Sequence, residues 1–243
     1  MSIYVFRRKE QKYLLTQAQR TALEDVLKLR MQPDRYGKSL VCNIYYDTPD
    51  YRLIRRSLEK PSVYKEKIRL RGYGTITPES QVFLEMKKKY KGVVYKRRIS
   101  LQEQSAVSYM ADVQATLDAG QIGRELDYFK QFYGSLRPAV YLSYERFAWH
   151  DPHGSDLRIT MDQHILHRWD DLTLTVPPSG KDLLEPGQSL LEIKTAGGMP
   201  LWLTEVLTAN QIRPTSFSKY GMAYTQLIKT KVKETENGGI QYA

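Results

Sequence analysis

Lys65, Lys67, Arg69 and Arg71 stand at every second position of Tyr-Lys-Glu-Lys-Ile-Arg-Leu-Arg-Gly, residues 64–72. Alternate side chains of an extended strand point to the same side, so these four cations share one face, with Glu66, Ile68 and Leu70 on the other. Such a face suits a string of phosphates, because guanidinium forks grip phosphate oxygens bidentately and ammonium groups act as point charges. It equally suits a solvated edge strand that uses Lys and Arg to repel other strands. Recurrence separates the two readings. Glu85 with Lys87, Lys96 with Arg98, Tyr144 with Arg146, Arg158 with Thr160 and Asp162, and Glu192 with Lys194 repeat the alternation; Glu10 and Lys12 share a face of the first strand.

Like charges this dense repel one another unless an anion neutralises them. Carboxylates on the same faces need another reason. Glu192, Glu85 and Glu10 would be repelled by bound phosphate unless a divalent cation lay between, and hard oxygen ligands suit Mg²⁺ or Mn²⁺. The simpler alternative is that each carboxylate pairs with a neighbouring Lys or Arg. The four histidines, His150, His153, His164 and His167, lack a zinc motif and read as surface residues. No P-loop or dinucleotide-binding glycine pattern occurs, and nothing supports a Ser-His-Asp or Cys-His site.

The elements that must position these residues follow from the same alternation. Strands are predicted over 3–15, 39–46, 64–72, 82–89, 93–101, 139–149, 156–162, 170–176 and 189–195. Thr16 caps a helix from Gln17 to about Met31, which Pro33 ends. Asp47-Thr-Pro-Asp50 forms a turn into a short helix through Ser57 that presents Arg52, Arg55 and Arg56. Further helices are predicted over 105–117, 123–133, 200–209 and 216–233, with a disordered tail at 234–243. The implied fold class is α+β: a closed antiparallel β-barrel with a charged lumen and helices packed outside, in one domain of residues 1–233.

Composition agrees. The 243 residues carry 37 Lys and Arg against 27 Asp and Glu, a net charge of +10, so the expected partner is an anion. Cys42 lies in an apolar run and reads as buried; being the single cysteine, it excludes an intramolecular disulfide or a Cys-rich metal site. No apolar run spans a membrane and no signal-peptide core is visible, so a cytoplasmic protein without membrane insertion is expected. The eighteen tyrosines mostly occupy strand positions and do not argue for nucleic-acid stacking.

Eight segments, Arg8-Lys9-Glu10-Gln11-Lys12-Tyr13, Tyr45-Tyr46-Asp47-Thr48, Lys67 to Gly74, Phe83 to Lys87, Tyr144-Glu145-Arg146, Leu157-Arg158-Ile159, Leu191 to Lys194 and Ser218-Lys219-Tyr220, resemble in order the motifs of the VTC (vacuolar transporter chaperone) catalytic domain. That domain is the polyphosphate polymerase branch of the triphosphate tunnel metalloenzymes, and the resemblance covers residues 5 to about 228. It implies a tunnel barrel, a divalent metal, and transfer of the terminal phosphoryl of ATP to inorganic polyphosphate or triphosphate. By it, Lys12, Arg69, Arg71, Lys87, Lys96, Arg146, Arg158, Lys194, Ser218 and Lys219 line the tunnel, Glu192 holds the metal, and Arg55 or Arg56 adds a phosphate contact. Lys67 and Arg98 share the strand faces of these residues and are expected to bind substrate with them. Arg8 stands where related hydrolases carry the first Glu of Glu-x-Glu-x-Lys, which favours the polymerase. The chain lacks the regulatory and membrane-spanning domains of the eukaryotic proteins, so a bacterial stand-alone form is expected. Two alternatives stay open: a tripolyphosphate or nucleoside triphosphate hydrolase on the same fold, and a non-catalytic polyphosphate-binding module. The sequence leaves the oligomeric state open.

Overall fold

A computed structural model of the protein describes residues 9–59, 61, 63–91 and 93–237. Its strands are β1 (Lys9–Leu15), β2 (Gln32–Asp47), β3 (Tyr64–Tyr73), β4 (Gln81–Tyr90), β5 (Val93–Gln102), β6 (Arg137–His150), β7 (Arg158–Arg168), β8 (Lys181–Asp182), β9 (Ser189–Thr195) and β10 (Pro214–Thr215). The helices are α1 (Gln17–Arg30), α2 (Arg52–Leu58), α3 (Glu103–Ala111), α4 (Gly120–Tyr133), α5 (Leu201–Ala209) and α6 (Lys219–Asn237). Strand pairing follows the order β10-β1-β9-β7-β6-β2-β3-β4-β5, with β8 on β7. The fold is thus α+β around a large antiparallel sheet. The order has two ends, and closure into a barrel is not part of this pairing. Alternation fixes which face of a strand is polar but carries no information on whether the outermost strands bond to each other.

Residue contacts divide the chain into two compact units, each assembled from separate segments: 1–40, 144–165 and 184–217 in the first, 41–143, 166–183 and 218–243 in the second. In the first unit, β1, β9 and β7 turn Tyr13, Leu191, Met161, Ile193 and Ile159 to one side, where Leu23 and Leu27 of α1 and Leu203 and Leu207 of α5 cover them. Helix α1 opens on the expected cap: Thr16 Oγ1 accepts from the Gln19 amide, and the Gln19 side chain accepts from the Thr16 amide.

In the second unit the even-numbered residues of β3 and β4, Ile68, Leu70, Val82, Leu84 and Met86, are buried, as are Ala106 and Met110 of α3 and Leu126 and Phe129 of α4. Burying the larger of these side chains, Ala106 apart, contributes about 1.5–3 kcal/mol each and commits the odd-numbered residues of the two strands to the opposite face. Cys42 is buried and unpaired, as its apolar surroundings in the sequence indicate.

Several boundaries differ from the sequence reading for visible reasons. Helix α3 stops at Ala111 instead of continuing to Leu117, because the Lys130 ammonium donates to the carbonyls of Tyr109, Asp112 and Ala115 and holds the chain open there. Residues 170–176 form no strand: the buried Arg168 guanidinium gathers the carbonyls of Asp171, Thr173 and Ser179 and wraps this segment into a loop. β7 runs on through His164 and His167, so His167 is a buried residue bonded to Gln226, not a surface one. The backbone of α6 continues to Asn237, through the start of the expected tail; residues 238–243 and 1–8, including the first part of the predicted 3–15 strand, lie outside the described residues. No helix among the described residues is long and apolar enough to cross a membrane.

Candidate functional site

The first cluster, in the second unit, is set by strand register. Across β2, β3, β4 and β5 the row Tyr45, Arg69, Glu85, Arg98 lies side by side, flanked by Asn43, Arg71, Phe83, Ser100 on one side and by Lys67, Lys87, Lys96 on the other. Residues directly opposite on neighbouring strands share a face at close range, so one side of the sheet becomes a lattice of cations around Glu85. Glu85 is 3% exposed. Arg69 donates to it through Nε and Nη2 at 2.9 and 2.7 Å, Lys96 lies at 2.6 Å, Arg98 at 3.6 Å and Arg71 at 3.9 Å. Burial alone would raise the Glu85 carboxyl, but Arg69, Arg71 and Lys96 outweigh it and hold the group down at about 2. Burial also lowers Lys96, despite Glu85, and the neighbouring Arg69 and Arg71 lower it further.

Neutral partners aim the guanidinium groups. The Tyr45 hydroxyl accepts from Arg69 Nη1 at 2.8 Å, and Asn43 Oδ1 accepts from Arg71 Nε at 2.9 Å while its amide donates to the Leu142 carbonyl. Arg98 lies over the Phe83 ring, 3.4 Å from its centroid. Lys67 donates to Ser218 Oγ at 2.7 Å, which ties β3 to the start of α6 beside Lys219. Lys87 is exposed on β4 between Lys67 and Lys96, and Arg55 and Arg56 are exposed on α2, with Arg55 paired to Asp50.

The second cluster, in the first unit, has a different charge balance. Lys12 pairs across the sheet with Glu192, which pairs with Thr160; Glu10 pairs with Lys194, and Lys194 with Arg158. Lys12, Arg146 and Lys194 stand 3.5, 3.6 and 3.3 Å from Glu192, and Lys12 is 3.4 Å from Glu10. Arg146 is locked by Asp162 through two bonds of 2.6 and 2.7 Å. Its own burial opposes the charge, yet Tyr144, Asp162 and Glu192 keep the guanidinium firmly protonated. Arg158 is half exposed and pairs with Asp34 at 2.8 Å.

The structure therefore brings Lys67, Arg69, Arg71, Glu85, Lys87, Lys96 and Arg98 onto one face in one unit, and Glu10, Lys12, Arg146, Glu192 and Lys194 together in the other. Asn43 joins them without having been named from the sequence, Tyr45 having entered only through a motif of the resemblance and Asp162 only as a member of the Arg158 face. Their spacing was a signal for it, since Asn43 and Tyr45 alternate on a strand face and Asp162 follows Thr160 by two. The expected carboxylates diverge: Glu85 is ringed by four cations, with Lys96 2.6 Å from an Oε1 that makes no hydrogen bond among the described residues, whereas Lys12, Arg146 and Lys194 stand 3.3–3.6 Å from Glu192. Thr160, directly across from Glu192, has a buried hydroxyl with no hydrogen-bond partner, so oxygen donors suited to a hard cation meet there. Among the described residues no group of three or more His, Cys, Asp or Glu could hold a metal. A cation at Glu192 and Glu10 would complete its shell with water and phosphate oxygens, as Mg²⁺ commonly does.

The family model of the VTC domain matches residues 7–228. Among solved structures, a candidate adenylyl cyclase from Hippeastrum, described as having a dominant triphosphatase activity, superposes with a TM-score of 0.56 at 16% identity over 89% of this chain and 95% of its own. A candidate adenylate cyclase from Bacillus halodurans superposes with a TM-score of 0.53 at 15% identity, over 87% of this chain and 95% of its own. At these identities the likeness is one of fold. No curated protein matches the sequence.

Proposed function

Because the chain belongs to the VTC domain family, we propose that it transfers the terminal phosphoryl of ATP to a chain of condensed phosphate, lengthening polyphosphate with the help of Mn²⁺ or Mg²⁺. The carrying observation is the contrast between the two clusters. Around Glu85 four cations face one carboxylate, a balance that asks for bound phosphate. Around Glu192 carboxylates match the cations, a balance that leaves room for a divalent ion.

A terminal oxygen of the acceptor attacks the γ-phosphorus of ATP, the bond from that phosphorus to the β,γ-bridging oxygen breaks, and ADP leaves. No side chain forms a covalent intermediate; positioning and electrostatic stabilisation carry the rate. A divalent cation, when bound at Glu192 with Glu10, would supply charge neutralisation on the phosphoryl oxygens. Arg69, Arg71, Arg146 and Arg158 clamp phosphates, and Arg69 and Arg146 arrive preorganised by Glu85 with Tyr45 and by Asp162. Lys12, Lys87, Lys194 and Lys219 guide the chain, and Lys67, Lys96, Arg98, Ser218 and Arg55 or Arg56 extend the binding surface. The closed single-domain tunnel implied by the resemblance belongs to the same proposal, as does a cytoplasmic location.

The triphosphatase activity of the Hippeastrum protein supports a second reading, hydrolysis of tripolyphosphate or nucleoside triphosphates. It differs in whether water or a phosphate oxygen attacks. Glu192→Gln tests both at the metal step: turnover is abolished while tripolyphosphate binding, measured by calorimetry without metal, persists. Full activity in that variant would remove Glu192 from the chemistry.

A further inference from the structure

We infer that Asp47 is a positioning residue for the cations carried by α2 and by the first turn of α6, a role that rests on the phosphoryl-transfer reading. Asp47 ends β2 and is 0% exposed. Its Oδ1 accepts from the amides of Thr48 and Leu53, both at 2.8 Å, and its Oδ2 accepts from the Ile54 amide at 3.0 Å and from the Tyr220 hydroxyl at 2.8 Å. The carboxylate is therefore satisfied by neutral donors, one from the adjoining turn and the others from two helices.

Helix α2 depends on it. The residue before the helix, Tyr51, sits at a φ of 58° and provides no side-chain cap, so two of the amides orphaned at the helix start are met by Asp47 alone. The carboxylate also lies at the positive end of the helix dipole. The helix so anchored exposes Arg55 and Arg56.

Tyr220 carries the same anchor to α6. It follows Ser218 and Lys219, and Ser218 Oγ accepts from both the Gly221 amide at 3.1 Å and Lys67. The Tyr220 ring packs on Tyr45, with centroids 5.0 Å apart, and Tyr45 holds Arg69. Burial and the Asp47 charge push the Tyr220 hydroxyl far up, so it remains a donor. Asp47 thus fixes Arg55 and Arg56 through α2, and Lys219, Ser218 and Arg69 through Tyr220.

The test compares the wild type, Tyr220→Phe, Asp47→Asn and Tyr141→Phe for calorimetric binding of tripolyphosphate and for ATP turnover with Mn²⁺. Tyr141 is a control that loses a buried hydroxyl donated to Cys42, away from these helices. Tyr220→Phe is expected to weaken tripolyphosphate binding and raise KM for ATP by about fivefold, the loss of one buried hydrogen bond, with kcat little changed. Asp47→Asn does the same or more, and Tyr141→Phe leaves binding at the wild-type value. Wild-type binding by Tyr220→Phe, or an equal loss in Tyr141→Phe, would overturn the inference. Failure of the wild type itself to bind tripolyphosphate would instead strike down the phosphoryl-transfer reading, and this inference with it.

Discussion

Glu85 sits among Arg69, Arg71, Lys96 and Arg98, and its charge is what lets those cations share one face before any phosphate arrives. The carboxyl is held at about 2 in the folded protein against an ordinary 4.5. A depressed acid stabilises the fold above its ordinary value, and this contribution is lost as the pH falls from about 4.5 to about 2. Over that window Glu85 should account for about 3 kcal/mol of lost stability. Urea unfolding at a series of pH values should show this loss in the wild type. Glu85→Gln should lack that step and start about 3 kcal/mol less stable, because it leaves Arg71 and Arg69, the two least exposed of the four cations, without their charged partner. Glu85→Gln should also gain more in melting temperature from added tripolyphosphate than the wild type does, since the anion takes over the neutralising role. Equal shifts in the two proteins would show that the cations around Glu85 do not meet the phosphates.

Among the elements, β3 and β4 could be read from the sequence because a two-residue period is a direct image of a strand with one buried face; β5 alternates between half-buried and exposed residues from Arg97 on. Arg69, Glu85 and Arg98 were placed on charged faces by that period alone. Which of them touch depends on register between strands, and register is set by turns and by buried partners such as Leu70 and Leu84 that no local pattern records. Asn43, and the role of Tyr45, escaped notice for the same reason: they accept from Arg71 and Arg69 on the next strand. The loop at 170–176 and the early end of α3 depend on single buried cations, Arg168 and Lys130, whose partners are backbone carbonyls, 3 to 11 residues away for Arg168 and 15 to 21 for Lys130, and backbone acceptors leave no mark in the sequence. Lys130 gives a test at this scale. Lys130→Met keeps the apolar stem but removes three charge-assisted bonds, and should cost about 2–4 kcal/mol while speeding amide exchange at residues 112–117. ATP turnover should be unchanged, since these bonds lie outside both cationic clusters.

For the molecule as a whole, a net charge of +10 would draw any polyanion, so charge alone does not choose a substrate. The arrangement narrows the choice: Arg69, Arg71, Lys96 and Arg98 crowd around one carboxylate, a local density of cations suited to the dense charge of condensed phosphate. Linear polyphosphate should accordingly outcompete single-stranded DNA of equal charge at physiological salt, and the reverse order would point to a nucleic-acid surface. The most direct measurement is phosphorus NMR of the protein with ATP and Mn²⁺, beside the Arg69→Ala, Arg71→Ala double variant. Internal polyphosphate resonances should grow in step with ADP in the wild type and be absent in the variant. Orthophosphate and ADP without internal resonances would contradict the polymerase in favour of hydrolysis, and unchanged ATP would contradict catalysis on this face altogether.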